Sequence, residues 1–432
     1  MTPFNIAEGI SKKNKKPELL APAGDLTRLK VAIAYGADAV YIGGKTLSMR
    51  AKAKNFRPAE MEEGILYAHS RGKKVYVAAN ICAHNDDFKN LTDYLKFLES
   101  VNADAVLISD PGVFMLAKEI IPETKLHIST QANVTNYASA EFWRNLGAAR
   151  VVLARELSLG EILEISEKVL DIEIETFVHG AMCMAYSGRC LISNYLNARD
   201  ANCGECSQPC RFVYTPSELS LTEEKSGESL SLLEDERGTF IFNSKDLNMI
   251  SHIPDLIKAG IGSFKIEGRM KTEYYTGAVT KAYRMAIDDY FTDPALYAEK
   301  IPYYRNELKK VGSRGYTTGF FFGKMTACDH DYSGENQITS QDFLAIVEGS
   351  DKETGFCNIE QRNKFQKGDR VEILKARGEN YVHTITEMHD ENGAEINSAP
   401  HPKQKIKLKI DGERYDMLRK VAPIETPRTC SK

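Results

Sequence analysis

Glu18-Leu-Leu-Ala-Pro-Ala-Gly-Asp25, then Leu26 to Tyr35, then Ala39-Val-Tyr-Ile42: this opening run decides the fold. A short apolar strand ends in a turn of Pro, Gly and Asp. An amphipathic helix follows, and a second β-branched strand comes directly after it. The unit recurs. Strands are predicted at Lys74-Val-Tyr-Val-Ala78, Ala105-Val-Leu-Ile108, Lys125-Leu-His-Ile128, Arg150-Val-Val-Leu153 and Ile172-Glu-Ile-Glu-Thr-Phe177. Helical spacing lies between them, as in Glu60 to Ser70 and Leu91 to Leu98. An eighth strand, Ser263-Phe-Lys-Ile266, arrives after a long interruption, and a long helix from Glu273 to Tyr290 follows it. Eight such units predict an α/β fold, a (β/α)8 TIM-like barrel; an open doubly wound sheet is the alternative.

The loops at the C-terminal ends of barrel strands build the active site on this architecture. Here they hold Ala21-Pro-Ala-Gly-Asp25, Ser129-Thr-Gln-Ala-Asn133, His179-Gly180 and Glu267-Gly-Arg-Met-Lys271. Gly43-Gly-Lys-Thr46 has the end of a phosphate loop but Ala39 where its first glycine belongs, so turn chemistry is the better reading.

The expected organisation is a flexible tail at 1–16, the barrel at 17–335 with a cysteine-rich insertion at about 181–248, and a small β-barrel at 340–425. The insertion includes an acidic, Ser/Leu-rich stretch from Ser217 to Arg237. A polar connection is expected from the long helix to about Ser340. Beyond it, short strands are predicted at Phe343-Leu-Ala-Ile-Val347, Arg370-Val-Glu-Ile-Leu374, His383-Thr-Ile-Thr-Glu387 and Ile406-Lys-Leu-Lys-Ile410, divided by glycine turns. Lys403, Lys405, Lys407 and Lys409 stand at period two and would share one face of a strand. That face suits an RNA backbone, or a solvated edge protected against aggregation.

Composition narrows the function classes. With 42% hydrophobic and 27% charged residues, the chain reads as globular rather than disordered. A net charge of −4 argues against a surface coated in cations for nucleic acid but leaves room for a local patch. No apolar run follows the lysines at 12, 13, 15 and 16, and no 18 apolar residues run together. A cytoplasmic protein without a membrane span is expected.

Nine cysteines in such a compartment are unsuited to a disulfide framework. Five of them, at 183, 190, 203, 206 and 210, crowd into 28 residues, whereas Cys82, Cys328, Cys357 and Cys430 are scattered. Cys183-x6-Cys190-x15-Cys206-x3-Cys210 supplies four soft ligands, which select zinc, copper(I) or an iron–sulfur cluster. Structural zinc prefers paired C-x2-C knuckles, and no second knuckle accompanies Cys203-x2-Cys206; the spacing favours iron–sulfur. Radical chemistry on S-adenosylmethionine is disfavoured because its C-x3-C-x2-C order is reversed here. His179, at a strand end just before the insertion, is a candidate acid–base or substrate group, with an ordinary hydrogen-bonding role as the alternative.

Glu175-Thr-Phe-Val-His-Gly-Ala-Met-Cys183-Met-Ala-Tyr-Ser-Gly188-Arg-Cys190-Leu-Ile-Ser193 resembles the signature of the U32 peptidase family. Supporting stretches are Glu18 to Asp25, Ser129 to Asn133, Gly204-Glu-Cys-Ser-Gln-Pro-Cys-Arg211, Lys265-Ile-Glu-Gly-Arg269 and Glu360-Gln-Arg-Asn-Lys-Phe365 with Gly368-Asp369. The likeness runs from about Pro17 to Val421. It implies kinship with prephenate-dependent tRNA hydroxylases, which form 5-hydroxyuridine at the wobble position. It implies a 4Fe-4S cluster on Cys183, Cys190, Cys206 and Cys210, prephenate as co-substrate and a tRNA anticodon loop as partner. Cys203 stands where the family commonly has arginine, and is left out of the ligand set. Arg269 and Lys271 then suit prephenate carboxylates or a phosphate, the alternative being helix-start charges without a ligand. Two other readings accompany the resemblance: a collagenase-like peptidase, and a noncatalytic subunit, since some relatives act as heterodimers. A homo- or hetero-oligomer is compatible with it.

Overall fold

A computed structural model describes residues 15–44, 47–48, 55–187, 189–197, 199, 201, 206–211, 244–326, 329–330 and 342–421, with short strands at 221–222, 229–230, 234–235 and 238–239. Cys203, Cys328, Cys430, the pair Lys45-Thr46 and all of the expected tail before Lys15 lie outside the described residues. The chain divides into two compact units: one up to residue 338 except 309–312, the other from 339 onward together with 309–312.

The first unit is a closed parallel barrel. Its strands are β1 (Glu18–Pro22), β2 (Ala39–Gly43), β3 (Lys74–Ala79), β4 (Ala105–Ile108), β5 (Lys125–Ile128), β6 (Arg150–Val152), β7 (Glu173–Ala181) and β8 (Ser263–Ile266). Each pairs with the next, and β8 pairs with both β7 and β1, which closes the ring. The open-sheet alternative is thereby excluded. Between the strands lie α1 (Leu26–Ala34), α2 (Pro58–His69), α3 (Leu91–Ser100), α4 (Pro111–Ile120), α5 (Tyr137–Leu146) and α6 (Leu159–Lys168). Several start on a side-chain cap supplied by the preceding top-face loop. Asp25 accepts from the Arg28 amide (3.0 Å), Asp110 from Val113 (3.0 Å) and Asn136 from Ser139 (2.9 Å). Asp25 thus fixes a helix start.

The barrel interior is divided in composition. Strands β1 to β4 send in Leu20, Ala39, Tyr41, Tyr76, Ala105 and Leu107, which pack as one cluster. Strands β5 to β8 contribute His127, Arg150, Glu175, Ser263 and Lys265, all buried. Arg150 Nη1 donates to Glu175 (2.7 Å) and Glu18 (2.8 Å), and Nη2 donates to Glu173 (2.6 Å). Lys265 Nζ donates to Glu175 at 2.7 Å. Burial would raise the Glu175 carboxyl, but Lys265 and Arg150 prevail and hold it below the usual carboxylate range. The halves meet through cation–π contacts, Arg150 over Tyr76 (5.1 Å) and Lys265 over Tyr41 (4.6 Å).

Strand β7 runs past the barrel. Its end, His179 to Ala181, pairs antiparallel with a short strand at Asp246–Asn248, which pairs in turn with Tyr316–Thr317. After β8 the chain forms a long helix, Glu273–Thr292, and then a further helix, Pro294–Lys309, where a polar connection was expected. Pro302 disguises it, yet Tyr297, Tyr304 and Leu308 form a buried stripe that holds it.

The second unit is antiparallel: β9 (Phe343–Asp351), β10 (Phe356–Gln361), β11 (Arg370–Leu374), β12 (Tyr381–Thr384), β13 (Met388–Asp390), β14 (Lys405–Lys409) and β15 (Met417–Lys420). The order is β12-β11-β15-β9-β10-β14-β13, a half-barrel wrapped on a core that includes Leu344, Val347, Ile359, Val371, Ile373, Leu408 and Leu418. The strand expected at His383 to Glu387 ends at Thr384 as the last part of β12; the chain then crosses the core at Ile385 and forms β13 from Met388 on the opposite edge. In β14 Lys405, Lys407 and Lys409 alternate with buried Ile406 and Leu408, whereas Lys403 falls in the turn before the strand, with positive φ. The strand is flanked on both sides, so it is not an edge. Lys405 is held by Glu348 (2.5 Å) and Glu360 (2.7 Å), and Lys409 lies 3.4 Å from Glu387.

Candidate active site at the top of the barrel

Side chains from the C-terminal strand ends line a pocket at the top face. They include Tyr41, Asn80, Ser129, Gln131, Arg155, Phe177, Lys265, Glu267 and Arg269, with Cys183 and Ser187 from the start of the insertion. Asn80 Nδ2 donates to Ser129 Oγ (3.0 Å) and to Gln131 Oε1 (3.1 Å), and the Ser129 hydroxyl closes this triangle on Gln131. Asn80 follows β3, whereas Gln131 lies on the turn Thr130–Ala132, which starts after Ser129 and ends at Asn133 in the left-handed region.

Three cations reach the pocket. Lys265 arrives from below, with its charge already met by Glu175. Arg269 is buried and donates to Ser48 Oγ at 2.8 Å. Gly43 makes space for it, since a Cβ there would stand 2.2 Å from Arg269 Nη1. The resemblance of this glycine pair to a phosphate loop therefore has a packing cause. Likewise Gly24 lets the β8 loop approach, a Cβ there falling 2.1 Å from the Arg269 carbonyl oxygen. Arg155, just beyond β6, lies over the Phe177 ring (5.1 Å). It donates to the Ala181 carbonyl (2.6 Å), Ser187 Oγ (2.8 Å) and Cys183 Sγ (3.4 Å).

His179 is not in this pocket. Between Phe177 and His179, two residues of β7 oppose the single step from Lys265 to Ile266, a β-bulge. The bulge sends the imidazole among Tyr275, Tyr283 and Tyr316, at ring-centroid distances of 5.5 to 6.0 Å. Burial there, with the Lys271 charge nearby, pushes its pKa down to about 3. Lys271 itself sits over the Tyr275 ring at 5.2 Å. Of the residues singled out from sequence, the structure thus brings Arg269 and Cys183 to one pocket and leaves His179 and Lys271 beside it.

The four cysteines lie on one segment: Cys183 is exposed, and Cys190, Cys206 and Cys210 are half-buried. The part carrying Cys206 is tied to the helix Ile192–Asn197 that follows Cys190. Ser193 Oγ accepts from the Ser207 amide (2.8 Å) and Asn197 Nδ2 donates to Ser207 Oγ (2.9 Å). The Gln208 amide donates to Cys206 Sγ at 3.3 Å. Among the described residues no three His, Cys, Asp or Glu side chains form a single-ion site. The donor chemistry fits a thiolate-bound group. Four soft ligands lie on one segment, and N–H donors reach two of the sulfurs, the kind of contact that tunes iron–sulfur clusters.

A family model described as peptidase family U32 matches residues 24–331, and its C-terminal domain model matches 339–419. The chain belongs to peptidase family U32. Among its U32 relatives is tRNA hydroxylation protein P1 of Bacillus subtilis, 42% identical over 96% of this chain and 97% of that one. An uncharacterized protease of Methanocaldococcus jannaschii is 43% identical over 83% of this chain and 86% of its own. The 23S rRNA 5-hydroxycytidine C2501 synthase of Escherichia coli is 37% identical over 63% of this chain and 39% of its own.

Within this U32 chain, sequence reasoning passes over Arg155, Asn80, Gln131 and Lys265 as site residues. Their positions at strand ends were visible, and the top-face rule applied strand by strand would have found Arg155 and Asn80. Lys265 was harder to find. A lysine inside an apolar strand reads as a surface residue until the partner of its charge, ninety residues earlier at Glu175, is known. Among the described residues no helix is long and apolar enough to cross a membrane.

Proposed function

We propose that this protein hydroxylates tRNA, forming 5-hydroxyuridine at the wobble position, with a 4Fe-4S cluster on Cys183, Cys190, Cys206 and Cys210 and prephenate as co-substrate. The observation that carries the reading is the shared wall of the pocket: Cys183 and a set of cationic and amide side chains border one space. The names of two relatives, a tRNA hydroxylation protein and an rRNA 5-hydroxycytidine synthase, support the reaction class. When bound, the cluster would supply electron transfer beside that space. Arg155 and Arg269 would pair with the carboxylates of the co-substrate, and Tyr41 and Phe177 would flank its ring. A target base must leave its stack to reach the site, which costs least in an anticodon loop.

Mass spectrometry of tRNA nucleosides from cells lacking the gene tests the reading. Wild type should restore 5-hydroxyuridine-derived nucleosides and Cys183→Ala should not. Unchanged nucleosides in the deletion strain, with no paralogue present, would overturn it. The same reaction run with the chain purified without oxygen shows whether a partner subunit is required.

The family's name and the archaeal relative suggest proteolysis. A peptidase needs an activated nucleophile or water. The described serines of the pocket bond instead to Asn80, Gln131 and Arg155, and Cys183 faces a guanidinium rather than a histidine.

A further inference from the structure

We propose that the exposed side chains of Met184, Tyr186, Leu191, Tyr195 and Leu196 form a stacking surface for unpaired RNA bases beside the pocket mouth. The inference rests on the tRNA reading above and adds where the nucleic acid is held. Among the described residues, 14 large hydrophobic side chains are exposed, and these five fall within the 13 positions 184–196. Tyr195 is 87% exposed, Leu191 63% and Tyr186 46%. Concentration of this kind marks an interaction surface, whereas single exposed hydrophobics need no cause.

The segment's position and charge say what it meets. Cys183 and Ser187, on either side of Met184 and Tyr186, both line the pocket, so the patch adjoins the opening. From Met182 to Arg199 the sequence holds Arg189 and Arg199 and no Asp or Glu. Exposed tyrosines with arginines and no acid suit bases and phosphates, because every base presents a π-face and the backbone is anionic.

The test uses the full chain purified without oxygen, with iron content measured in each variant. Its probes are a hairpin RNA with a single-stranded loop and the same stem as a plain duplex. Tyr195→Ala should weaken hairpin binding about tenfold, Tyr195→Phe should retain it, and duplex binding should be unchanged. Arg189→Gln should lower the salt slope by about one unit. Equal hairpin affinity for wild type and Tyr195→Ala, at equal iron content, overturns the stacking surface while leaving the tRNA reading intact. A wild-type chain that binds no hairpin overturns both. Loss of self-association in Tyr195→Ala with RNA affinity kept also overturns the proposal and assigns the face to protein contact.

Discussion

Arg150 and Arg155 stand five residues apart, at opposite ends of β6, and their surroundings could hardly differ more. Arg150 is enclosed by Glu18, Glu173 and Glu175. Arg155 is held by a carbonyl, a hydroxyl and a thiol. The first charge is cancelled where it sits, as a buried charge must be. The second is held by a carbonyl, a hydroxyl and a sulfur at the pocket wall, where an anion arriving from the top can meet it. The difference separates a structural cation from one suited to binding, and it does so by partners rather than by residue type.

The comparison can be broken at either end. Arg150→Met should have the largest effect, because it leaves carboxylates in the barrel with part of their compensation gone. We expect a loss of about 3 kcal/mol in urea unfolding, and a loss under about 1 kcal/mol would deny the network its structural role. Arg155→Gln should do the reverse. Unfolding should stay within about 1 kcal/mol of wild type, while tRNA hydroxylation turnover falls about a hundredfold through lost positioning. An Arg155 variant as unstable as the Arg150 one would remove the distinction.

A smaller effect sharpens the picture from the side of β7. The folded pKa of His179 lies at about 3, below the ordinary unfolded value of about 6.5. The unfolded chain therefore binds the extra proton between these values. Stability from the neutral imidazole is complete above about pH 6.5 and is lost as pH falls towards 3, at up to about 1.4 kcal/mol per pH unit. His127 is buried and shifted down as well, so it adds to the slope. In His179→Phe the acid limb of stability against pH should be shallower than in wild type. An unchanged slope would show that the imidazole is not buried neutral.

Much of the barrel was legible because its signals are local. Ser263 to Ile266 reads correctly as a strand since Gly260 and Gly262 punctuate its start and its residues alternate with the barrel wall. The eight-unit count then implied closure. What escaped were features set by distant partners. Strand β7 extends to Ala181 because Asp246–Asn248, far along the chain, pairs with its end. His179 sits at the strand end that was expected, but the bulge beside it rotates the ring towards the tyrosines, and no local spacing announces a bulge. Strand β10 escapes the sequence reading because its alternation is short and its last buried residue, Gln361, is polar. The cysteine spacing was readable as such, while the guanidinium beside Cys183 belongs to another loop of the barrel.

The charged layer around Arg150 has a kinetic consequence. It fills the barrel axis beneath the pocket and closes that side to a small molecule bound there. With a base resting over the pocket mouth, nothing could enter or leave behind it. On the function proposed above, the small molecule would then bind before the RNA, and its remnant would depart only after the RNA had gone.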